Sequence, residues 1–311
     1  MSTITGRRRH YGSFYGIDGD AFASGTVGST RNVLVYGNCQ AEAVRVLLAG
    51  SATSPVNTMR VPPVFELEPS DIPHLRSAAA RAHILIGQPV RDQYHDLPLG
   101  TRQVAAMMPP GGLVIHFPVI RFAGLHPYQA IVRDPRDPSH DPPVVPYHDL
   151  RTLAEAVRGP REVADLSART VLAVGEASRA ELARREDRDC DVTVSDLFRR
   201  PEFGDMATIN HPGNRILLEL ARRLQGAMGL PPEVVEPGRP LLGEVVAPVD
   251  RAVSDGWQLP GSVADHWIVR GRAVSSRSIH DAQIRWYVQN PDVVRAGMDR
   301  HGSTMDLLGL R

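Results

Sequence analysis

The stretch Asn32-Val-Leu-Val-Tyr-Gly-Asn-Cys-Gln40 decides the fold, because it joins a strand pattern directly to a turn. Val33 to Tyr36 form a short apolar, β-rich run of the kind that builds a buried parallel strand. The following segment, Ala41 to Gly50, repeats its apolar residues at helical spacing and ends at a glycine, as helices commonly do. The stretch therefore predicts a strand–turn–helix unit.

Cys39 lies in the turn of this unit, at the predicted N-terminus of the helix. Backbone N–H groups and the positive end of the helix dipole favour a thiolate there, and the same groups could receive a developing oxyanion. Gly37 permits the sharp turn. A single cysteine after a strand is also commonly just a small buried hydrophobic residue. The interpretation as a nucleophile therefore depends on a base elsewhere in the chain.

Further strand patterns follow at Val56–Val61, His83–Pro89 and Gly112–Pro118. In the pattern His83–Pro89, Gln88 follows a glycine at the end of the apolar run, which is the same layout as in the strand–turn–helix unit of Cys39. Because the carboxyl ends of parallel strands meet at one edge of a sheet, Gln88 could approach Cys39 and donate to an oxyanion; capping of a loop is the alternative. We predict an α/β fold: a small parallel sheet flanked by helices, with a flavodoxin-like core.

The C-terminal half is predicted to be rich in helices. Asp149 has the character of a helix N-cap before Leu150–Arg158, and a clear amphipathic pattern covers Arg215–Met228. The predicted organisation is a flexible arm over residues 1–30, a catalytic core over 31–230 with a long loop near 131–146, and a Pro-rich wrap with C-terminal helices over 231–311 packed on that core.

The loop Asn210-His211-Pro212 precedes this amphipathic helix. Pro212 stiffens the loop, so His211 is well mounted to act as a general base; a capping or surface histidine is the alternative. The second cysteine, Cys190, has acidic neighbours that disfavour a thiolate. Cys39 and His211 are therefore the predicted nucleophile and base.

Composition excludes several classes of protein. The 311 residues contain 35 Lys+Arg and 35 Asp+Glu, and this zero net charge argues against a nucleic-acid partner. Two cysteines make no disulfide framework, and no Cys/His metal cluster appears. No apolar run is long enough to span a membrane, and the N-terminus has no secretory signal. We expect a cytoplasmic protein without a metal, and the sequence leaves a homo-oligomer open.

The ordered motifs resemble the WcbI family of capsular polysaccharide biosynthesis enzymes. The resemblance covers about Arg31 to Leu230. It rests on these motifs: Gly37-Asn38-Cys39-Gln40, Ile86-Gly87-Gln88, Phe117-Pro118 with Gly124-Leu125-His126-Pro127, Pro146-Tyr147-His148-Asp149, and Asn210-His211-Pro212. The layout is also similar to SGNH esterases, with Cys39 in place of their serine. The acid that would orient His211 is not identified by this pattern; Asp205 is a candidate near it in sequence.

The resemblance implies an acetyltransferase that takes acetyl-CoA as co-substrate and a saccharide or other small hydroxylated molecule as acceptor. Asn38, Gln40 and Gln88 would then assist Cys39 and His211 in catalysis. The residues expected to bind CoA are Gly37, Arg45, Arg91 and Arg121, and those expected to bind the acceptor are His126, Tyr147, His148 and Asn210. Two alternatives remain open: an ester or thioester hydrolase with the same dyad, and a non-catalytic protein that binds CoA or sugar.

Overall fold

The computed structural model describes residues 6–19, 21–22, 30–51, 56–137, 139–160 and 163–311. The helices, in chain order, are α1 Gly6–His10, α2 Cys39–Ala49, α3 Ile72–Ala79, α4 Thr101–Ala105, α5 Leu150–Arg158, α6 Ala168–Asp189, α7 Asn214–Ala227, α8 Arg251–Trp257, α9 Ser276–Gln289 and α10 Pro291–Leu307. The strands are β1 Arg31–Tyr36, β2 Val56–Thr58, β3 Ile84–Gly87, β4 Leu113–His116, β5 Gln129–Ala130, β6 His148–Asp149, β7 Met206–Thr208, β8 His211–Pro212, β9 Val245–Val246, β10 His266–Val269 and β11 Arg272–Ser275.

The chain forms two units. Unit 1 comprises Met1–Val119, Ala183–Ser195 and Asn214–Leu241, and unit 2 comprises Ile120–Leu182, Asp196–Gly213 and Leu242–Arg311. The chain thus passes between the units after residues 119, 182, 195, 213 and 241; the boundary predicted after residue 230 is not among these points.

Unit 1 is built on a parallel sheet with the strand order β2-β1-β3-β4 among the described residues. The predicted α/β fold with a small parallel sheet is confirmed. Strand β1 lies inside this sheet, between β2 and β3. The five residues Asn32–Tyr36 of this strand are all buried. Tyr36 of β1, Gly87 of β3 and His116 of β4 are in register at the carboxyl edge.

Helices cover both faces of this sheet. On one face, Leu34 and Tyr36 pack in a core cluster with residues such as Leu75 and Leu85. The alternating residues Val33 and Val35 point to the opposite face and are also buried. Helices α2 and α7 pack against each other within this unit. The two-residue turn Gly37-Asn38 places the N-terminus of α2 immediately beyond β1.

The N-terminal segment is part of unit 1 where the structure describes it; residues 1–5, 20 and 23–29 of the predicted arm lie outside the described residues. Tyr11, Phe14 and Tyr15 are buried in the core cluster that contains Leu34. Arg7 Nη2 lies 2.7 Å from the buried carboxylate of Asp71, and the Tyr15 hydroxyl donates to that carboxylate at 2.8 Å. Residues 6–18 are therefore packed and ion-paired, where the sequence predicted a flexible arm.

Unit 2 contains short antiparallel pairs, β5–β6 and β7–β8, and the sheet β11-β10-β9. Its core packs residues of β5 and α5 against α9 and α10. The predicted helix Leu150–Arg158 is present with Asp149 as its N-cap. The region 231–311, predicted to be a Pro-rich wrap with C-terminal helices, contains β9, α8 and the hairpin β10–β11 as well as α9 and α10.

Candidate functional site

The order of the strands in unit 1 reverses between β1 and β3. In open α/β sheets, ligands bind in the crevice outside the carboxyl ends of the strands at such a point. The segment Gly37-Asn38-Cys39-Gln40 follows β1, and Gln88 follows β3. The structure therefore brings these predicted residues to the same edge of the sheet, as the sequence indicated.

The Gln88 side chain holds the loop that carries Cys39. Its Oε1 accepts from the backbone N–H of Asn38 at 2.8 Å, and its Nε2 donates to Gln40 Oε1 at 3.1 Å and to the Pro118 carbonyl at 3.3 Å. A Cβ on Gly37 would overlap the Gln88 amide, so a glycine is needed for this close approach. Gln88 is only 1% exposed, and both N–H groups of its amide have acceptors. This geometry supports a positioning function for Gln88.

Cys39 is the first residue of α2 and is half-buried. Asn38 is the N-cap, and its Oδ1 accepts from the Gln40 N–H at 2.9 Å. Burial raises the pKa of the Cys39 thiol, and hydrogen bonds from the Cys39 and Gln40 backbone oppose that rise. The helix N-terminus does favour the thiolate, as predicted, but burial outweighs it. The thiol therefore needs a base before it can attack a substrate.

The three predicted CoA-binding arginines differ in their surroundings. Arg45, a half-buried residue of α2, forms a two-pronged ion pair with Glu42, at 2.7 and 2.9 Å. Arg91 is exposed shortly after β3, with its guanidinium carbon 6.0 Å from the centre of the Tyr94 ring. Arg121 is exposed in unit 2. Of the two in unit 1, only Arg91 lies near the carboxyl end of the central strands.

In unit 2, the β7–β8 pair presents a polar cluster around His211. The Tyr147 hydroxyl donates to Asn210 Oδ1 at 2.8 Å and lies 3.4 Å from His211 Nδ1, while Thr208 Oγ1 donates to Tyr147 at 2.9 Å. The structure thus brings Tyr147 to Asn210 and His211, which the sequence analysis had placed in a different motif. Thr208 was not predicted; its position two residues before Asn210 in an extended segment is the signal that could have found it.

The hydrogen bonds of this cluster bear on which nitrogen of His211 carries the proton. Because the Tyr147 hydroxyl hydrogen goes to Asn210, its oxygen faces His211 Nδ1 as an acceptor. That arrangement favours a proton on Nδ1 and leaves Nε2 as the basic nitrogen. Burial lowers the pKa of His211, and the charge of Glu244 partly opposes this. The imidazole is therefore neutral near pH 7, as a general base must be.

Asp205 was the candidate to orient His211. Its Oδ2 accepts from the Glu202 N–H at 2.7 Å, and its carbonyl accepts from the Gly213 N–H at 2.8 Å. The side chain therefore braces the turn before β7. The group that the structure shows at His211 Nδ1 is the Tyr147 hydroxyl.

His126 and His148, predicted to contact the acceptor, lie in the interior of unit 2. His126 is 4% exposed, with Nε2 3.0 Å from the Met206 carbonyl, and His148 is 1% exposed, with Nδ1 2.7 Å from the Tyr287 hydroxyl. Burial lowers the pKa of each to about 4. Both rings are neutral and nearly inaccessible, so contact with a substrate stays a prediction for them.

The residues that the structure describes contain neither a candidate metal cluster nor a candidate membrane-spanning helix. Among them, no three His, Cys, Asp or Glu side chains are grouped so that they could hold a metal ion. Within the same residues, no helix combines the length and the apolar character needed to cross a membrane.

The fold and the cysteine define a class: a parallel α/β protein with a helix N-terminal thiol at the point where the strand order reverses. The particular family follows from comparison with known proteins. A family model described as polysaccharide biosynthesis enzyme WcbI matches residues 32–233. The chain belongs to the WcbI family, and the resemblance seen in the sequence is confirmed.

A solved structure of WcbI shares the fold. It is described as a polysaccharide biosynthesis enzyme, in its native form without a disulfide bond between CoA and one of its cysteines. The two chains are 19% identical with a TM-score of 0.73, and the match covers 91% of this chain and 99% of the other. No curated protein matches the chain.

Proposed function

We propose that this chain is a CoA-dependent O-acyltransferase, with acetyl as the transferred group and a hydroxyl of a saccharide or related metabolite as the acceptor. The observation that carries the proposal is Cys39 at the N-terminus of α2, beyond the strand-order reversal, in a polysaccharide biosynthesis family. The description of the related WcbI mentions CoA, specifying a form without a disulfide bond between CoA and a cysteine, and this mention supports the choice of CoA.

In the first step, Cys39 takes the acyl group. His211 Nε2 removes the thiol proton, which a thiol with a raised pKa requires, and the sulfur attacks the thioester carbonyl of acetyl-CoA. The carbon–sulfur bond to CoA breaks, and the departing CoA sulfur takes the proton from His211. One thioester is exchanged for another, so the step is close to balanced in free energy.

Asn38 is our choice of side-chain donor to the oxyanion. Its Oδ1 is fixed by the Gln40 N–H, which leaves its NH₂ group to donate, whereas both N–H groups of Gln88 already have acceptors. The Cys39 backbone N–H is the second proposed donor. A donor aimed at a developing oxyanion typically lowers the barrier by about 3 kcal/mol.

In the second step, His211 removes the proton of the acceptor hydroxyl. The oxygen attacks the acetyl carbonyl on Cys39, and the Cys39 sulfur leaves and recovers the proton. Arg91 is proposed to bind a phosphate of CoA, because it is exposed near the end of β3. Arg45 is held by Glu42 and is a weaker candidate for that role.

The test is intact mass spectrometry after incubation with acetyl-CoA. We expect wild type and the matched control Cys190→Ser to gain one acetyl group, and Cys39→Ser and His211→Ala to gain none. The rate should fall at acidic pH only below the ordinary histidine pKa of about 6.5, because burial lowers the pKa of His211.

The other outcomes separate the alternatives. Steady release of CoA without any acceptor, from an enzyme that acetylates Cys39, would identify a hydrolase. Stabilisation by CoA without an adduct would favour direct transfer or a binding protein. Acetylation of Cys39→Ser as fast as wild type would contradict the nucleophile assignment.

A further inference from the structure

A tyrosine near the N-terminus contacts two groups of unit 1 that in turn contact the loop and the helix of Cys39. This residue, Tyr11, precedes residues 32–233, which match the WcbI family model, so that match gives it no function. Its side chain is 7% exposed and packs in the core cluster that contains Leu34 and Tyr36 of β1. Because such a core is close-packed, the position of Tyr11 affects the groups around it.

The first connection runs through a 3₁₀ turn that follows β2. The Tyr11 hydroxyl donates to Glu66 Oε2 at 3.1 Å, and Arg7 Nη2 donates to the Glu66 carbonyl at 2.7 Å. Two residues earlier in this turn, the Val64 N–H donates to the Gly37 carbonyl at 2.8 Å. Gly37 opens the loop that leads into α2, so a turn fixed at its end by Tyr11 also fixes this loop.

The second connection runs through Arg60. Its guanidinium carbon lies 5.7 Å from the centre of the Tyr11 ring, and its Nε lies 3.2 Å from Glu42 Oε1. Glu42 belongs to the first turn of α2, three residues after Cys39. Tyr11 is therefore linked to the chain on both sides of Cys39, through its hydroxyl to the loop before the cysteine and through its ring to the helix after it.

The placement of this loop and this helix turn decides how easily the thiol ionises. Burial raises the pKa of the Cys39 thiol, and hydrogen bonds from the Cys39 and Gln40 backbone oppose that rise. These N–H groups stabilise the sulfur only while the loop and the first turn of α2 keep them directed at it. A looser loop would leave the effect of burial unopposed, so less of the thiol would be ionised at a given pH.

From these contacts we infer that Tyr11 is a positioning residue for Cys39. It fixes Glu66 and Arg60, and these fix the loop before the cysteine and the first helix turn after it. The inference rests on the proposed function for its importance to catalysis, but it is tested on the thiol alone, without any acyl transfer.

The matched control for Tyr11→Phe is Tyr15→Phe, because both remove a hydroxyl from a buried tyrosine of the same segment. The Tyr15 hydroxyl donates to Asp71 at 2.8 Å and so does not fix Glu66. Arg7, which also contacts this hydroxyl, keeps its bonds to Asp71 and Glu66 in the control. Each variant loses one hydrogen bond to a carboxylate, so urea unfolding should show similar losses of stability.

Alkylation by iodoacetamide, followed by peptide mass spectrometry, separates positioning from stability. Tyr11→Phe should slow alkylation of Cys39 by about threefold and shift its pH profile to higher pH, whereas Tyr15→Phe should leave both as in wild type. Cys190 in the same samples is the internal reference, and its rate should be the same in all variants.

A larger change and a coupled pair sharpen this test. Tyr11→Leu also removes the ring that faces Arg60, so the rate at Cys39 should fall by about tenfold. In a Glu66→Ala background, Tyr11→Phe should have no further effect on Cys39, because the acceptor of its hydroxyl hydrogen is already gone.

A wild-type rate and pH profile of Cys39 in Tyr11→Leu would overturn the inference. An equal slowing of Cys39 in Tyr15→Phe would also overturn it, since a general loss of stability would then explain both variants. Acetylation by acetyl-CoA, measured on the same proteins, keeps the two proposals apart. If Cys39 of the wild type is not acetylated but its alkylation depends on Tyr11 as expected, the proposed function fails and the positioning function of Tyr11 stands.

Discussion

The two cysteines of unit 1 sit at opposite ends of helices. Cys39 is the first residue of α2, whereas Cys190 directly follows the last residue of α6, and its N–H donates to the Glu186 carbonyl at 2.9 Å. A helix N-terminus carries a partial positive charge and a C-terminus a partial negative one. The thiols of Cys39 and Cys190 therefore experience helix-dipole fields of opposite sign.

Burial raises the pKa of both thiols, but the other contributions differ in sign. At Cys39, backbone N–H groups oppose the rise. At Cys190, the carboxylates Glu186, Asp189 and Asp191 add to it and bring the pKa to about 12. Both cysteines are partly exposed, so the sign of the charges around the sulfur is what distinguishes their tendency to form a thiolate.

The largest expected difference between the two thiols is their rate of alkylation. At about pH 8, iodoacetamide should label Cys39 at least about a hundredfold faster than Cys190, because only a minute fraction of Cys190 is thiolate. Peptide mass spectrometry over a time course measures both sites in one sample. Labelling should rise with pH at both sites, with the rise at Cys190 continuing to higher pH. Equal rates of alkylation at Cys39 and Cys190 would contradict the expected difference between the two thiols.

Gln88→Leu should remove the hydrogen bonds that hold the Cys39 loop and leave the surroundings of Cys190 unchanged. The Asn38 N–H and the Gln40 side chain lose a buried partner, so we expect about 3 kcal/mol less stability in urea unfolding. The alkylation rate of Cys39 should change, and that of Cys190 should not. Gln103→Leu is the matched control: its Oε1 accepts from Gln93 and Gly100, so it should leave both cysteine rates as in wild type.

The spacing of apolar residues along the chain was enough to predict most of the strands and helices that position Cys39 and Gln88. The run before Gly37 and the helical spacing after it located β1 and α2, and the same layout at Gln88 located β3. These predictions succeeded because a parallel strand is buried on both faces and a surface helix on one, so each leaves its own period in the sequence.

Partners that are distant in the chain left no such pattern. The Asp71 carboxylate that binds Arg7 is 64 residues away, and the Tyr147 hydroxyl next to His211 is also 64 residues away. For the same reason the sequence left two functions open for Gln88, an oxyanion donor and a loop cap, and only the folded chain shows which groups its amide contacts. Hydrogen-bond satisfaction is a property of the folded chain, which a residue type alone does not report.

Asn38 has two functions that substitutions can separate. Asn38→Ser keeps a capping oxygen but loses the NH₂ group, whereas Asn38→Ala loses both. We expect acetylation of Cys39 to slow by about a hundredfold in each, with a stability loss of about 1 kcal/mol only in Asn38→Ala. Mass spectrometry and urea unfolding measure the two effects. Normal acetylation in Asn38→Ser would assign the asparagine to capping alone.

The smallest expected effect concerns the negative charges around Cys190. Asp191→Asn removes one of the negative charges that raise the pKa of Cys190, so that pKa should fall and alkylation of Cys190 should increase by about threefold. Asp187→Asn is the matched control, because Asp187 is exposed on α6 and is not among the charges that raise the pKa of Cys190. Alkylation of Cys39 should be the same in both variants. An equal increase at Cys190 in both would mean that general surface charge, and not the adjacent carboxylate, suppresses this thiol.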